Sequence, residues 1–251
     1  MIDEFFLHEL NYTLDPNKIV KDKTILMGEE HLIPKSDWIP FDEMDTSAKI
    51  LNNEIFERAF LKILDLHAPK NKVAFVSLCT STRPYQYSRK WSEFKKKFGN
   101  MADMVVLSNG GIIPEKFWTS YPYMNYDGVA DISVRPIFNR VTEDRLIKFF
   151  TRHQYEFVLA NFRPTMPNLC ELADITLGKL KKNGKIKDYI VLPTAEQYQD
   201  LQDRGFPGGK MFPDLDEDMV QSFINALIKF NSLADKNFKH YNPHEIASLL
   251  F

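Results

Sequence analysis

The sequence predicts an α/β fold of three layers, helices on both faces of a mostly parallel four-stranded sheet. Two observations carry the prediction. VAFVS, ADMVVLS, QYEFVLANF and KDYIVLP are short, continuous apolar runs of the kind that fill strands buried on both faces. Between them lie stretches of roughly ten or more residues with helical apolar spacing, the length a βαβ crossover needs.

The elements follow in order. Residues 1–46 hold short apolar pieces (FFLHEL, KTILMG, HLIP, DWIP) broken by Asp, Pro, Asn and Gly, so they read as an irregular N-terminal appendage to one α/β domain over 47–251. Thr46 and Ser47 are placed to cap a helix in which Ile50, Leu51, Ile55, Phe56, Phe60, Ile63 and Leu64 fall three and four apart. After the first strand, Ser88 can cap RKWSEFKKKF and Gly99 can stop it. The second strand ends in the turn Asn109-Gly110-Gly111, and Pro114 suits the start of a short helix. Thr142 is read as the cap of EDRLIKFFTRH. Residues 166–182 form a helix ended by Asn183-Gly184, and further helices follow the fourth strand.

Composition excludes several classes. At 251 residues, with 44% apolar and 26% charged residues, the chain is a globular protein able to bury a core. No apolar run approaches about 18 residues and no signal-like start is present, so no membrane partner is expected and a cytoplasmic location follows. Cys79 and Cys170 are far apart, and no pair of histidines has ligand spacing, which argues against a disulfide framework or a structural zinc site, and no metal or cofactor is expected. A net charge of -2 excludes coating of nucleic acid by bulk electrostatics, while leaving a local basic patch open. Oligomeric state is not legible.

Ligands in such folds bind outside the carboxyl ends of the strands, and the distinctive segments of this chain are there. Cys79, Arg83, Tyr85 and Ser88 set a thiol, a guanidinium, a phenol and a hydroxyl at a strand-to-helix turn, whose helix N-terminus favours anions and can lower a thiol pKa. The plainer reading is that Cys79 is a small hydrophobe, Tyr85 packs and Ser88 only caps. Asn109 precedes Gly110 and Gly111, whose amides suit an oxyanion or phosphate. Asp127 is the best single carboxylate, as general base; it also reads as an ordinary Asp-Gly turn. Tyr126, Asn161 and Arg163 extend the candidate binding residues. Arg89, Lys90, Lys95, Lys96 and Lys97 form a basic strip, with Trp91, Phe94 and Phe98 on one face as core and the lysines as a solvated face. Cys170 reads as core, and His153 as a helix C-terminal residue.

Residues 72–162 resemble the middle domain of archaeosine synthase, a relative of the archaeal tRNA-guanine transglycosylases, whose motif is Pro-Cys-x3-Lys-Pro-Tyr-x2-Ser-x2-His. Cys79, Pro84, Tyr85 and Ser88 match it; Leu78, Arg83 and Trp91 stand for the Pro, Lys and His. A second stretch matches through Ser108, Gly111, Pro114, Tyr121, Pro122, Tyr126 and Asp127. The resemblance implies a uracil-DNA glycosylase-like fold and modification of a base already within a nucleic acid. Arg83 exchanges a point charge for a bidentate fork, and Trp91 removes an imidazole.

The function expected is therefore a transferase that joins an amino acid, through its amine, to an activated base in DNA or tRNA, of the kind phages use to hypermodify DNA. Asp127, Cys79 and Ser88 are the candidate catalytic residues. Arg83, Tyr85, Asn109, Gly110, Gly111, Tyr126, Asn161 and Arg163 are the candidate substrate-binding residues, and the aromatics from Trp118 to Tyr126 are walls for a flipped base. The competing expectation is a non-catalytic nucleic-acid recognition module of the same fold. A third, an N-glycosidase, rests on fold analogy alone.

Overall fold

The computed structural model describes residues 31–39, 53–80, 82–124, 135–162, 167–205 and 215–235. Among them the order of elements is α1 (Glu54–Leu66), β1 (Val73–Leu78), α2 (Arg89–Phe98), β2 (Asp103–Ser108), β3 (Gly111–Pro114), α3 (Arg135–Arg152), β4 (Phe157–Asn161), α4 (Pro167–Lys182), β5 (Asp188–Leu192), α5 (Ala195–Asp203) and α6 (Glu217–Ala234). The strands stand in the order β3-β2-β1-β4-β5. β1 runs parallel to β4 and β4 to β5, with Ser77 opposite Asn161 and Asn161 opposite Leu192. The two-residue connection from β2 to β3 makes that pair antiparallel. The fold is a mostly parallel sheet flanked by helices in three α/β/α layers.

The sheet has five strands, not the four expected. GIIP escapes sequence reading because it is only four residues long, opens on the second glycine of the Gly110-Gly111 pair and ends in proline, and a glycine pair and a proline read as turn signals. The short helix expected from Pro114 is one 3-10 turn, Glu115–Phe117, with Pro114 as the last residue of β3. Thr142 is no cap: α3 begins seven residues earlier and Thr142 is buried inside it. Burial of the Thr142, Leu146, Phe149 stripe extends the helix past a local capping signal. α1 starts at Glu54, where the Asn53 side chain accepts from the Ile55 amide at 2.8 Å; Thr46 and Ser47 lie outside the described residues.

Contact density divides the chain into two compact units. In the unit holding β1, β4, β5, α4 and α6, Phe75 of β1 meets Phe94, Phe98 and Phe223 with ring centroids 5.0, 5.3 and 5.6 Å apart, and Phe157 stacks on Phe230. At the start of its strands Asp103 gathers the Lys70 and Asn71 amides and the Tyr155 hydroxyl. Burial beside that carboxylate drives the Tyr155 phenol far upward, so it stays a neutral donor. Thr194 and Gln197 form a reciprocal capping box at the head of α5, so the Pro193-Thr194 segment serves the helix.

In the unit holding α1 and β3, the interior is aromatic: Phe56, Phe60, Tyr85, Trp91, Trp118, Tyr121 and Tyr123 are all buried. Residues 31–39, the described part of the N-terminal segment, pack here. Trp38 stacks on Tyr121 at 4.6 Å, and the Tyr121 hydroxyl accepts from the Ile39 amide at 2.8 Å.

Candidate functional site

The segment after β1 is built from its backbone outward. The Cys79 amide donates to the Leu107 carbonyl at 2.9 Å, leaving the thiol partly exposed just past the strand end. Pro84 leads into a 3-10 turn, Tyr85–Tyr87, and the Ser88 amide closes it on the Tyr85 carbonyl. The Ser88 hydroxyl then accepts the Trp91 amide at 3.2 Å, the N-cap expected from sequence. At the other end a Cβ on Gly99 would sit 2.5 Å from the Lys95 carbonyl oxygen, so glycine is required where α2 stops.

Two cations of this segment are out of water. Arg83 is 5% exposed, its guanidinium carbon 5.6 Å from the Tyr85 ring centroid. Lys90 is fully buried, its ammonium 5.4 Å from the Trp91 ring. Tyr85 and Trp91 both pack edge-on against Trp118, so the two cations border one aromatic cluster. Arg89, Lys95 and Lys96 are exposed as expected, but Lys90 is not part of that solvated face. Its position explains this: Lys90, Phe94 and Phe98 are four apart, which sets Lys90 on the buried stripe of α2.

The turn after β2 is held from within. The Gly110 amide donates to the Ser108 hydroxyl at 3.0 Å, and Nη1 of Arg145 donates to the Asn109 carbonyl at 3.2 Å. Gly111 has φ of +147°, and a Cβ there would come 3.2 Å from the Tyr123 hydroxyl, so both conformation and space favour glycine. Asn109, Gly110 and Gly111 are buried. Arg145, which sequence reading missed, is 3% exposed, 5.7 Å from the Phe60 ring and 3.6 Å from the Glu57 carboxylate. Its signal was present: Arg145 lies three after Thr142 and four before Phe149, on the apolar stripe of α3.

The aromatic walls expected for a flipped base are a correction. Trp118, Tyr121, Tyr123 and Met124 are buried, and the Trp118 indole donates to the Ile113 carbonyl, so these side chains fill the core. Tyr126, Asp127 and Arg163 lie outside the described residues. Cys170 is half-buried rather than core; burial pushes its thiol up, and its sulfur lies 4.0 Å from the Phe162 carbonyl. His153 follows α3 directly, with its amide on the Phe149 carbonyl, as expected of a helix end.

Asn161 belongs to the other unit. It is the last residue of β4 and 1% exposed, and its Nδ2 donates to the Ser77 hydroxyl of β1 at 3.2 Å. Its Oδ1 is buried and accepts no hydrogen bond among the described residues. Among the described residues no group of His, Cys, Asp and Glu converges as metal ligands would, and no helix is long and apolar enough to cross a membrane.

Chemically, the segment from Cys79 to Ser88 offers a partly exposed thiol and a largely desolvated guanidinium, and a desolvated cation attracts an anion more strongly than one at an open surface.

A comparison with solved structures finds similarity to a protein whose crystal structure is titled AF0587, a protein of unknown function. The identity is 13% and the TM-score 0.39, over 61% of this chain and 52% of that one. This chain therefore spans about half of that protein's length. A search of the curated proteins finds no match. The family model described as a domain of unknown function, DUF5591, matches residues 57–189, just over half of the chain and running from within α1 through α4 to the first two residues of β5, and the chain belongs to that family.

Proposed function

We propose that the protein is a transferase that modifies a base within DNA or tRNA by joining an amino acid to it through the amine. The resemblance to archaeosine synthase supports this reading, and the observation that carries it is the built segment from Cys79 to Ser88, with Arg83 buried at its centre. Arg83 holds an anionic group of the substrate by its bidentate fork. The amine nitrogen bonds to the activated carbon on the base, the leaving group departs with the electron pair, and a base takes the proton released. Asp127 is the residue assigned to that proton. A pyrimidine carrying an activated methyl carbon, as in hypermodified phage DNA, is the target that suits a chain of this size.

The test is nucleoside mass spectrometry of DNA and of tRNA bearing candidate activated bases, after incubation with the protein and the twenty amino acids. A nucleoside heavier by one amino acid residue is expected, with loss of the product in an Arg83→Ala, Asp127→Ala double variant. Undiminished transfer by that variant would overturn the assignment of the site.

A specific observation favours a second reading, a recognition module without chemistry. The Ser88 hydroxyl, expected to be catalytic, and the Gly110 amide, expected to bind substrate, both make hydrogen bonds that hold the fold. Binding to either nucleic acid without any mass change, and without release of free base, is the outcome that selects it.

A further inference from the structure

Within the unit holding α1 and β3, residues 31–39 are anchored by a short set of contacts. Leu32 and Ile33 are buried, Trp38 stacks on Tyr121, the Ile39 amide donates to the Tyr121 hydroxyl, and Asp37 is 2.7 Å from Arg58 of α1. The Trp38 indole is itself fixed, donating to the Ile33 carbonyl at 3.0 Å. Such a segment can open locally while the sheet stays folded, because few groups need to let go at once.

His31 stands at the head of the segment, its ring centroid 4.7 Å from that of Trp38 and the two planes nearly perpendicular. Its Nδ1 is buried and has no hydrogen-bond partner among the described residues. A neutral imidazole tolerates this, since the tautomer with its proton on Nε2 leaves Nδ1 a bare acceptor. An imidazolium does not. It carries a proton on both nitrogens, and the one on Nδ1 would be a charged donor out of water with nothing to receive it. The Trp38 ring attracts a cation, which opposes this cost, but the Lys35 ammonium is already over that ring at 5.9 Å. Burial, and after it the Lys35 charge, hold the imidazole pKa below its ordinary value. Among the described groups Lys35 alone acts on His31 by charge. Asp37 is engaged by Arg58 of α1 and by Ser36, Glu57 of α1 faces Arg145, and burial keeps the Tyr121 phenol neutral.

We propose that residues 31–39 form a pH-sensitive strap, docked on Tyr121 while the His31 imidazole is neutral and released when it takes up a proton. A base whose docked pKa is lowered binds its proton better in the released state. Docking is therefore complete above the ordinary histidine value of about 6.5 and weakens as pH falls toward the lower docked one, where the loss levels off. Tyr121 lies on the same run, 118–124, as Trp118, against which Tyr85 and Trp91 pack. The strap thus anchors the stretch of chain that also supports those two rings.

The experiment is hydrogen exchange of the full chain between about pH 7.5 and about pH 5, corrected for the intrinsic rate, with the Ile39 amide as reporter of docking. Its opening constant is expected to rise below about pH 6.5, by no more than about tenfold per pH unit for one proton, while the amides of β1 and β4 stay protected. His31→Phe keeps a ring against Trp38 and does not titrate, so its opening constant stays level over the same range. Lys35→Met removes the like charge and moves the onset to higher pH. Asp37→Asn raises opening a few-fold at every pH without moving the onset, because the carboxyl, held below its usual range by Arg58 and Ser36, is ionised throughout. An NMR titration of the His31 ring in the unaltered protein, which depends on no variant folding, gives a pKa below about 6.5.

An Ile39 amide unprotected at about pH 7.5, an opening constant indifferent to pH, a rise that persists in His31→Phe, a rise shared by β1 and β4, or a His31 pKa at or above about 6.5 would each overturn the proposal.

Discussion

The two compact units of this chain have opposite interiors. In the unit built on β1, β4 and β5, the buried side chains are almost wholly apolar, and Ser77, His153, Asn161 and Thr176 are the described exceptions. In the unit built on α1 and β3, three cations are buried against aromatic rings, Arg83 by Tyr85, Lys90 by Trp91 and Arg145 by Phe60, and Asn109, Ser88 and Ser108 are buried in the same unit. Burying a charge is costly unless its partners are arranged for it. The interior of the first unit is therefore organised by volume and that of the second also by directed polar contacts, and most of the candidate site residues among the described ones belong to the second.

Substitutions can sharpen or break this contrast. The largest effect is expected from Phe75→Ala, which empties the centre of the Phe94, Phe98 and Phe223 cluster; urea denaturation should show a loss of about 3–5 kcal/mol. A loss under about 1 kcal/mol would mean that volume does not govern this unit. Next is Arg145→Met, which keeps bulk but leaves the Asn109 carbonyl without its buried donor. A cost of about 1.5–3 kcal/mol is expected, the range for a hydrogen bond to a charged group. Arg145→Lys should recover little of it, because one ammonium cannot reproduce the fork that reaches both Asn109 and Glu57. Full recovery would show that charge alone is required.

Ser88→Ala removes the N-cap of α2 and should cost about 1 kcal/mol in the same measurement. The smallest effect is one of pH. The Lys187 ammonium, helped by Lys72 and opposed by slight burial, holds the Glu156 carboxyl below the usual range. Its folded pKa being depressed, the stabilisation is fully present above the unfolded value of about 4.3 and fades as pH falls through the lower folded one. At roughly 0.5 kcal/mol, since both lysines are exposed, it should appear as a slope in unfolding free energy below that pH that Glu156→Gln removes.

The strands of the first unit were legible because VAFVS, FVLAN and DYIVL carry their burial in composition, and a continuous apolar run has few other places to go. The caps at Ser88 and the stop at Gly99 were legible because each is a local rule met within one turn. What escaped is tertiary. Lys90 and Arg145 look like surface residues by type, and only their phase on the helix tells otherwise. Trp118, Tyr121 and Tyr123 invite a stacking role by type and are core by packing. Asn161 was singled out by its place after a strand, but nothing in the sequence pairs it with Ser77, eighty-four residues away.

The ends of the sheet have a consequence for how this protein behaves in concentrated solution. One outermost strand, β3, is four residues long, buried throughout, set against α1 and closed by Pro114. The other, β5, opens on Asp188, ion-paired with Lys181, and is followed at once by Pro193. A strand from another molecule seeking to extend the ladder meets a covered border on one side and a charge followed by a missing amide on the other. Among the described residues, growth of the ladder by a strand of a second molecule is therefore disfavoured at both ends of the sheet.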